Sequence, residues 1–131
     1  MGMLDVTPKD AMRGVNIEPA GWYTVRIDTV GENVPSKKGD SENILVEGTI
    51  LRNADNGDEK YANYPTPFWL FNTKAAGFAV GLLRAGGHEV VPGRVNLKVM
   101  EGQTIDVFIK NEEFEGKINS KVDHQYRPVR S

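Results

Sequence analysis

Cysteine is absent from this chain, so disulfides and thiolate metal sites are both excluded. Histidine occurs only as His88 and His124, in different segments and in no metal-binding spacing such as HExxH. Both read as surface or hydrogen-bonded histidines rather than ligands. Long apolar runs are missing as well: none approaches the roughly 20 residues that a spanning helix needs. The N-terminal MGMLDVTPKDAMRG carries early acidic and polar residues in place of an apolar stretch, so no signal peptide is expected and a cytoplasmic protein is. An excess of positive charge is also lacking. The net charge of −2 argues against a strongly basic duplex binder, although it says little about any one face. No Gly-rich phosphate cradle surrounds Lys37-Lys38, and Glu112, Glu113 and Glu115 lack the spacing of a Ca²⁺ loop. Neither a catalytic constellation nor a cofactor is expected.

The 131 residues fit one domain with one hydrophobic core. Hydrophobic residues at 39% and charged residues at 26% are ordinary for a globular protein, and 14 glycines with seven prolines imply many turns. Residues 1–20 read as an arm, with a short helix from Pro8 to Arg13 after the Thr7-Pro8 start signal. Residues 21–128 read as the folded domain and 129–131 as a tail. GWYTVRIDTV (21–30) alternates, with Tyr23, Val25 and Ile27 inward and Trp22, Thr24, Arg26 and Asp28 outward, which is the period of a half-buried strand. A polar loop carrying Lys37-Lys38 follows. NILVEGTILR (43–52) alternates again, and Gly48 on its inner face signals a bulge or bend. NADNGD (53–58) is a turn, so a hairpin should lead into a third strand beginning near Lys60.

Residues 74–85 read as a helix with an N-cap at Asn72-Thr73, an apolar stripe of Ala75, Phe78, Ala79 and Leu82, and a Gly86-Gly87 stop. Gly77 and Gly81 would let it approach the sheet closely. The segment 88–102 is ambiguous between a short strand through Val95, Leu97 and Val99 and a turn-rich connector. TIDVFIK (104–110) alternates, NEEFEG is a turn, and 117–126 forms the last strand. The order βββ–α–ββ predicts a mainly β protein: a five-stranded OB-fold-like Greek-key barrel with one helix between strands three and four. OB folds bind oligonucleotides and oligosaccharides across strands two and three and two flanking loops.

YANYPTPFWLF (61–71) holds five of the chain's eleven aromatics together with Pro65 and Pro67. Bases stack on aromatic rings whatever their sequence, and nearby cations hold the phosphates. The candidate nucleic-acid-binding residues are therefore Tyr61, Tyr64, Trp69 and Trp22 for stacking. Arg26, Lys37, Lys38, Arg52, Lys60, Lys110, Lys117 and Lys121 are the candidates for the backbone. Phe68, Leu70 and Phe71 are expected in the core.

Taken in order, several segments resemble a known family. They are Pro19-Ala20-Gly21-Trp22-Tyr23-x-Val25-x-Ile27, the Lys/Gly-bearing loop, Leu45-Val46-Glu47, and Leu82-Leu83-x-Ala85-Gly86. Gly102-x-x-Ile105-x-Val107-x-Ile109 and Glu115-Gly116-Lys117-x-Asn119-x-Lys121-Val122 complete the series. The family is a group of small bacteriophage proteins encoded beside recombination and replication genes and regarded as OB-fold single-stranded-DNA-binding proteins. The resemblance covers roughly residues 17–128. It implies single-stranded DNA as the partner, a role in coating and protecting it, and replication or recombination proteins as further candidates; a homo-oligomer is a separate candidate that the sequence leaves open. It also implies location in the host cytoplasm. Many single-strand binders end in an acidic tail that recruits enzymes; this chain ends HQYRPVRS, so recruitment by that route is not expected. The alternative is a β-rich interaction or virion-assembly protein whose aromatic stretch packs a subunit interface.

Overall fold

A computed structural model of the chain describes residues 2–5, 14–93 and 95–129. The helix expected over Pro8–Arg13 lies outside the described residues. The fold is mainly β. Its strands are β1 (Gly21–Val30), β2 (Val34–Pro35), β3 (Glu42–Asn53), β4 (Leu70–Asn72), β5 (Thr104–Phe114) and β6 (Lys117–Arg127). They pair antiparallel in the order β2-β3-β1-β5-β6, with β4 also on β3. One helix, α1 (Ala76–Ala85), follows β4. No helix among the described residues is long and apolar enough to cross a membrane.

β1 is the central strand because its alternation gives it one fully apolar face. Tyr23, Val25 and Ile27 are buried against Val46, Ile50, Ile105 and Val107. The Tyr23 hydroxyl donates to the Pro19 carbonyl at 2.6 Å, fixing the chain's entry into β1. The β1–β3 register slips twice, between Thr24 and Val25 and between Ile27 and Thr29. Gly48 sits opposite Ile27, and a Cβ there would lie 2.5 Å from the Arg26 carbonyl oxygen. The bend expected at Gly48 is therefore a close crossing of two backbones.

The third strand is shorter than its sequence suggests. It does not begin near Lys60, where the chain turns instead, and only Leu70–Asn72 forms a regular ladder with β3. Before that there is an isolated bridge, Thr49 to Pro65, and a hydrogen bond from Thr66 N to the Gly48 carbonyl at 3.0 Å. The prolines account for this. Successive N–H groups of an extended chain point to opposite edges, so when Thr66 N faces β3, the nitrogen of Pro67 faces the other way and donates nothing. On that other edge lies β6, and the two segments meet in one parallel bridge, Phe68 to Lys121, with Val122 N donating to the Phe68 carbonyl at 2.9 Å. The sheet is not closed into a barrel by a continuous ladder.

Asn72 caps the turn ahead of α1 by accepting from Lys74 N at 2.9 Å. α1 buries Ala79, Leu82, Leu83 and Ala85. Phe78, expected in the stripe, is 47% exposed and stacks on the His124 ring at 4.3 Å instead. Of the glycine pair, Gly81 approaches the sheet, where an added Cβ would lie 3.8 Å from the Tyr126 ring, and Gly77 faces open space. The ambiguous segment resolves into a 3-10 turn, Leu97–Met100, because Asn96 accepts from Lys98 N and starts it; Leu97 and Met100 are buried and Val95 and Val99 are not. The expected NEEFEG turn narrows to Glu115-Gly116, both at positive φ, so β5 and β6 form one long hairpin.

Candidate nucleic-acid interface

Strand parity decides which aromatics are available. Phe71 is buried, and counting back by two places Trp69 inward and Phe68 outward. Trp69 is 0% exposed, so it has no ring face to offer a base, and its expected stacking role is corrected to a core role. Phe68, expected in the core, is 62% exposed. Tyr61 is buried: its ring meets Tyr64 edge-on at 5.4 Å and its hydroxyl accepts from Glu18 N at 3.2 Å. Tyr64 is half-buried against the core. The aromatic surface before the prolines is thus largely turned inward. The signal for Phe68 was present in the period-2 register anchored on Phe71; the prolines obscured it.

Trp22 does lie on the outer face of β1, but it is engaged there. The Arg127 guanidinium sits 4.2 Å from its ring centre and Phe108 meets it edge-on at 5.6 Å. Arg127 is itself held by Asp106, which is buried and also accepts from the Thr24 hydroxyl at 2.7 Å. This cluster fastens the end of β6 across β1.

The cations fall into two sets. Lys37 and Lys38 are exposed at the tip of a turn closed by Gly39 N to the Ser36 carbonyl. Arg52, Lys60 and Lys117 are exposed as well, and Lys60 lies 5.2 Å from the Tyr61 ring centre. None of these five forms an ion pair among the described residues. Arg26, Lys110 and Lys121 are paired. Arg26 binds Asp28 at 2.8 Å. Lys110 and Lys121 each reach Glu112 at 3.0 Å, and Lys110 also approaches Asp123 at 3.6 Å. Hydrogen bonds from Lys121 and then Lys110 hold the Glu112 carboxyl below its usual range. Glu112 in turn raises Lys110.

The structure brings together Phe68, Lys121 and Lys110 on one face, beside the outward pair Leu45 and Leu70. A groove of about 440 Å³ borders Phe68, with Val15-Asn16, Pro65–Pro67, Leu45 and Glu47 in its lining. Lys37-Lys38 and Arg52 lie toward opposite ends of β3, whose 12 residues span about 40 Å. A larger cavity of about 860 Å³ beneath α1 is lined by Glu32 and Glu42, with Lys98 paired to Glu32. The groove at Phe68 also has a carboxylate, Glu47, in its lining, so charge alone does not rank the two as receptors for a polyanion. No group of three or more His, Cys, Asp or Glu among the described residues is placed to hold a metal ion. The chain matches no model of a known protein family and no curated protein sequence.

Proposed function

We propose that the chain is a non-enzymatic single-stranded-DNA-binding protein that coats and protects unpaired strands, with little base specificity, during phage replication or recombination. The observation that carries this reading is the bridge between Phe68, a largely exposed aromatic, and Lys121. One such pair offers a π-face for a base and a cation for the adjoining phosphate. Stacking of this kind contributes about 1–3 kcal/mol per base and tolerates any sequence. Pairings that run from β1 to β3, to residues 65–72, to β6, to β5 and back to β1 support an OB-fold reading, with the lone parallel bridge as the weakest link of the ring. OB folds bind oligonucleotides on their second and third strands; these correspond to β3 and residues 65–72, the strands that present Leu45 and Phe68.

The test is fluorescence anisotropy with a labelled dT oligomer, competed by duplex of equal length, at two salt concentrations. Binding that weakens steeply with salt and resists duplex competition is the expected result. The exposed Phe114 and Ile118 at the tip of the β5–β6 hairpin favour a second reading, a subunit interface of an interaction or assembly protein. Self-association that survives high salt, with no oligomer binding, would select it.

A further inference from the structure

β6 and the strand that begins at Phe68 lie side by side, yet the backbone bond from Val122 N to the Phe68 carbonyl stands at an isolated bridge. Beyond that bridge, side chains make the seam. Trp69 Nε1 donates to the Tyr126 hydroxyl at 2.8 Å, and that hydroxyl lies 2.7 Å from His124 Nδ1. An indole N–H can only donate, so the Tyr126 oxygen accepts there and its own proton needs an acceptor. The unprotonated Nδ1 of a neutral His124 is that acceptor. The His124 ring also meets the backbone of Leu70, so one imidazole touches both sides of the seam.

We infer that neutral His124 is a positioning residue that latches the Phe68–Leu70 segment onto β6, and that protonation of its ring releases the latch. A proton on Nδ1 would aim two N–H donors, from His124 and Trp69, at one hydroxyl oxygen and displace that hydroxyl's own proton from its acceptor. The surroundings make the ring responsive. Phe78 of α1 stacks on it at 4.3 Å and Phe71 of β4 lies 4.9 Å away, both apolar. Burial holds its pKa below the ordinary value; Leu70 and Asp123 pull upward, and Lys121 and Lys110 push further down. Residues 68–72 carry no charge. Because Phe68 provides the proposed stacking face, acidification should also weaken strand binding, and that part of the inference rests on the function proposed above.

The experiment follows the Trp69 indole N–H and the His124 ring by NMR while the pH falls from 8 to 5, with the Trp22 indole as control. The expected result is a Trp69 shift sharing the His124 midpoint, absent in His124→Gln and in Tyr126→Phe. A Trp69 resonance that stays fixed while His124 titrates, or that still moves in His124→Gln, overturns the latch. Anisotropy with a dT oligomer over the same pH range reads the coupling. Wild-type affinity should fall with the His124 midpoint and His124→Gln should lack that step; equal pH profiles overturn the coupling. Absence of oligomer binding at every pH overturns the proposed function, whereas the latch is decided by the indole.

Discussion

Phe68 and Trp69 are neighbours in the chain and opposites in the fold: Phe68 is 62% exposed beside Lys121, and Trp69 is fully buried with its indole bonded to Tyr126. Truncating each should therefore read out differently. Phe68→Ala should weaken oligo-dT binding by about 1–3 kcal/mol and leave the melting temperature nearly unchanged. Trp69→Ala should cost about 3–5 kcal/mol of stability, as large buried aromatics do. Thermal melts and titrations on the two variants check this; a Phe68→Ala protein with unaltered affinity would remove the ring from the interface.

Glu112 restrains Lys121, which is bridged to Phe68, and Lys110, which pairs with Lys121 across the hairpin. Glu112→Gln should free them for phosphate, tightening oligomer binding and steepening its salt dependence by about 0.7 in log–log slope for each additional phosphate neutralised. Anisotropy across a salt series measures it. An unchanged slope would mean that Lys110 and Lys121 do not reach the strand.

Among the described residues, Lys37 and Lys38 have no such partner to lose. The double change Lys37→Ala, Lys38→Ala should lower affinity and reduce the salt slope by about 0.7 for each phosphate left unneutralised. Stability should stay within about 0.5 kcal/mol, as for exposed substitutions generally. An unaltered slope in the same salt series would take this loop out of the binding surface.

Much of the architecture was legible because period 2 is a strong signal when one face is apolar. β1, β3, β5 and β6 fall where inward residues recur at every second position around Tyr23, Val46, Val107 and Val122. α1 was legible from its apolar stripe and its stop at Gly86-Gly87, while Asn72 caps the 3-10 turn that leads into it and Phe78 leaves the predicted stripe to stack on His124. The candidate site was read less well. Around Pro65 and Pro67 every residue from Tyr61 to Phe71 that matters is aromatic or apolar, so composition could not tell inside from outside. Only the register did, and the prolines hid it. The pairing of Lys110 and Lys121 through Glu112 was illegible because it joins residues across two strands whose alignment no single segment encodes.

Gly48 offers a test of the fold itself. Gly48→Ala would place a methyl group against the Arg26 carbonyl, which the β1 ladder holds in place. The expected loss is about 1–3 kcal/mol, the usual cost of overpacking. Urea denaturation reads it, and a variant as stable as the parent would show that β1 and β3 can move apart there.

An early segment of the chain is tied to a late one. Ile17 N donates to the Ser120 hydroxyl and Asn16 to the Ile118 carbonyl, bonds that span 103 and 102 residues. β1, the hub of the sheet, is paired on one side by β3 but on the other only by β5, beginning at Thr104. During synthesis on the ribosome the hub must therefore wait with one edge bare until most of the chain has emerged. A bare edge recruits other strands, so crowded polysomes making this protein should depend on chaperones that shield it, and slowing translation should lengthen that exposure rather than help the chain to fold.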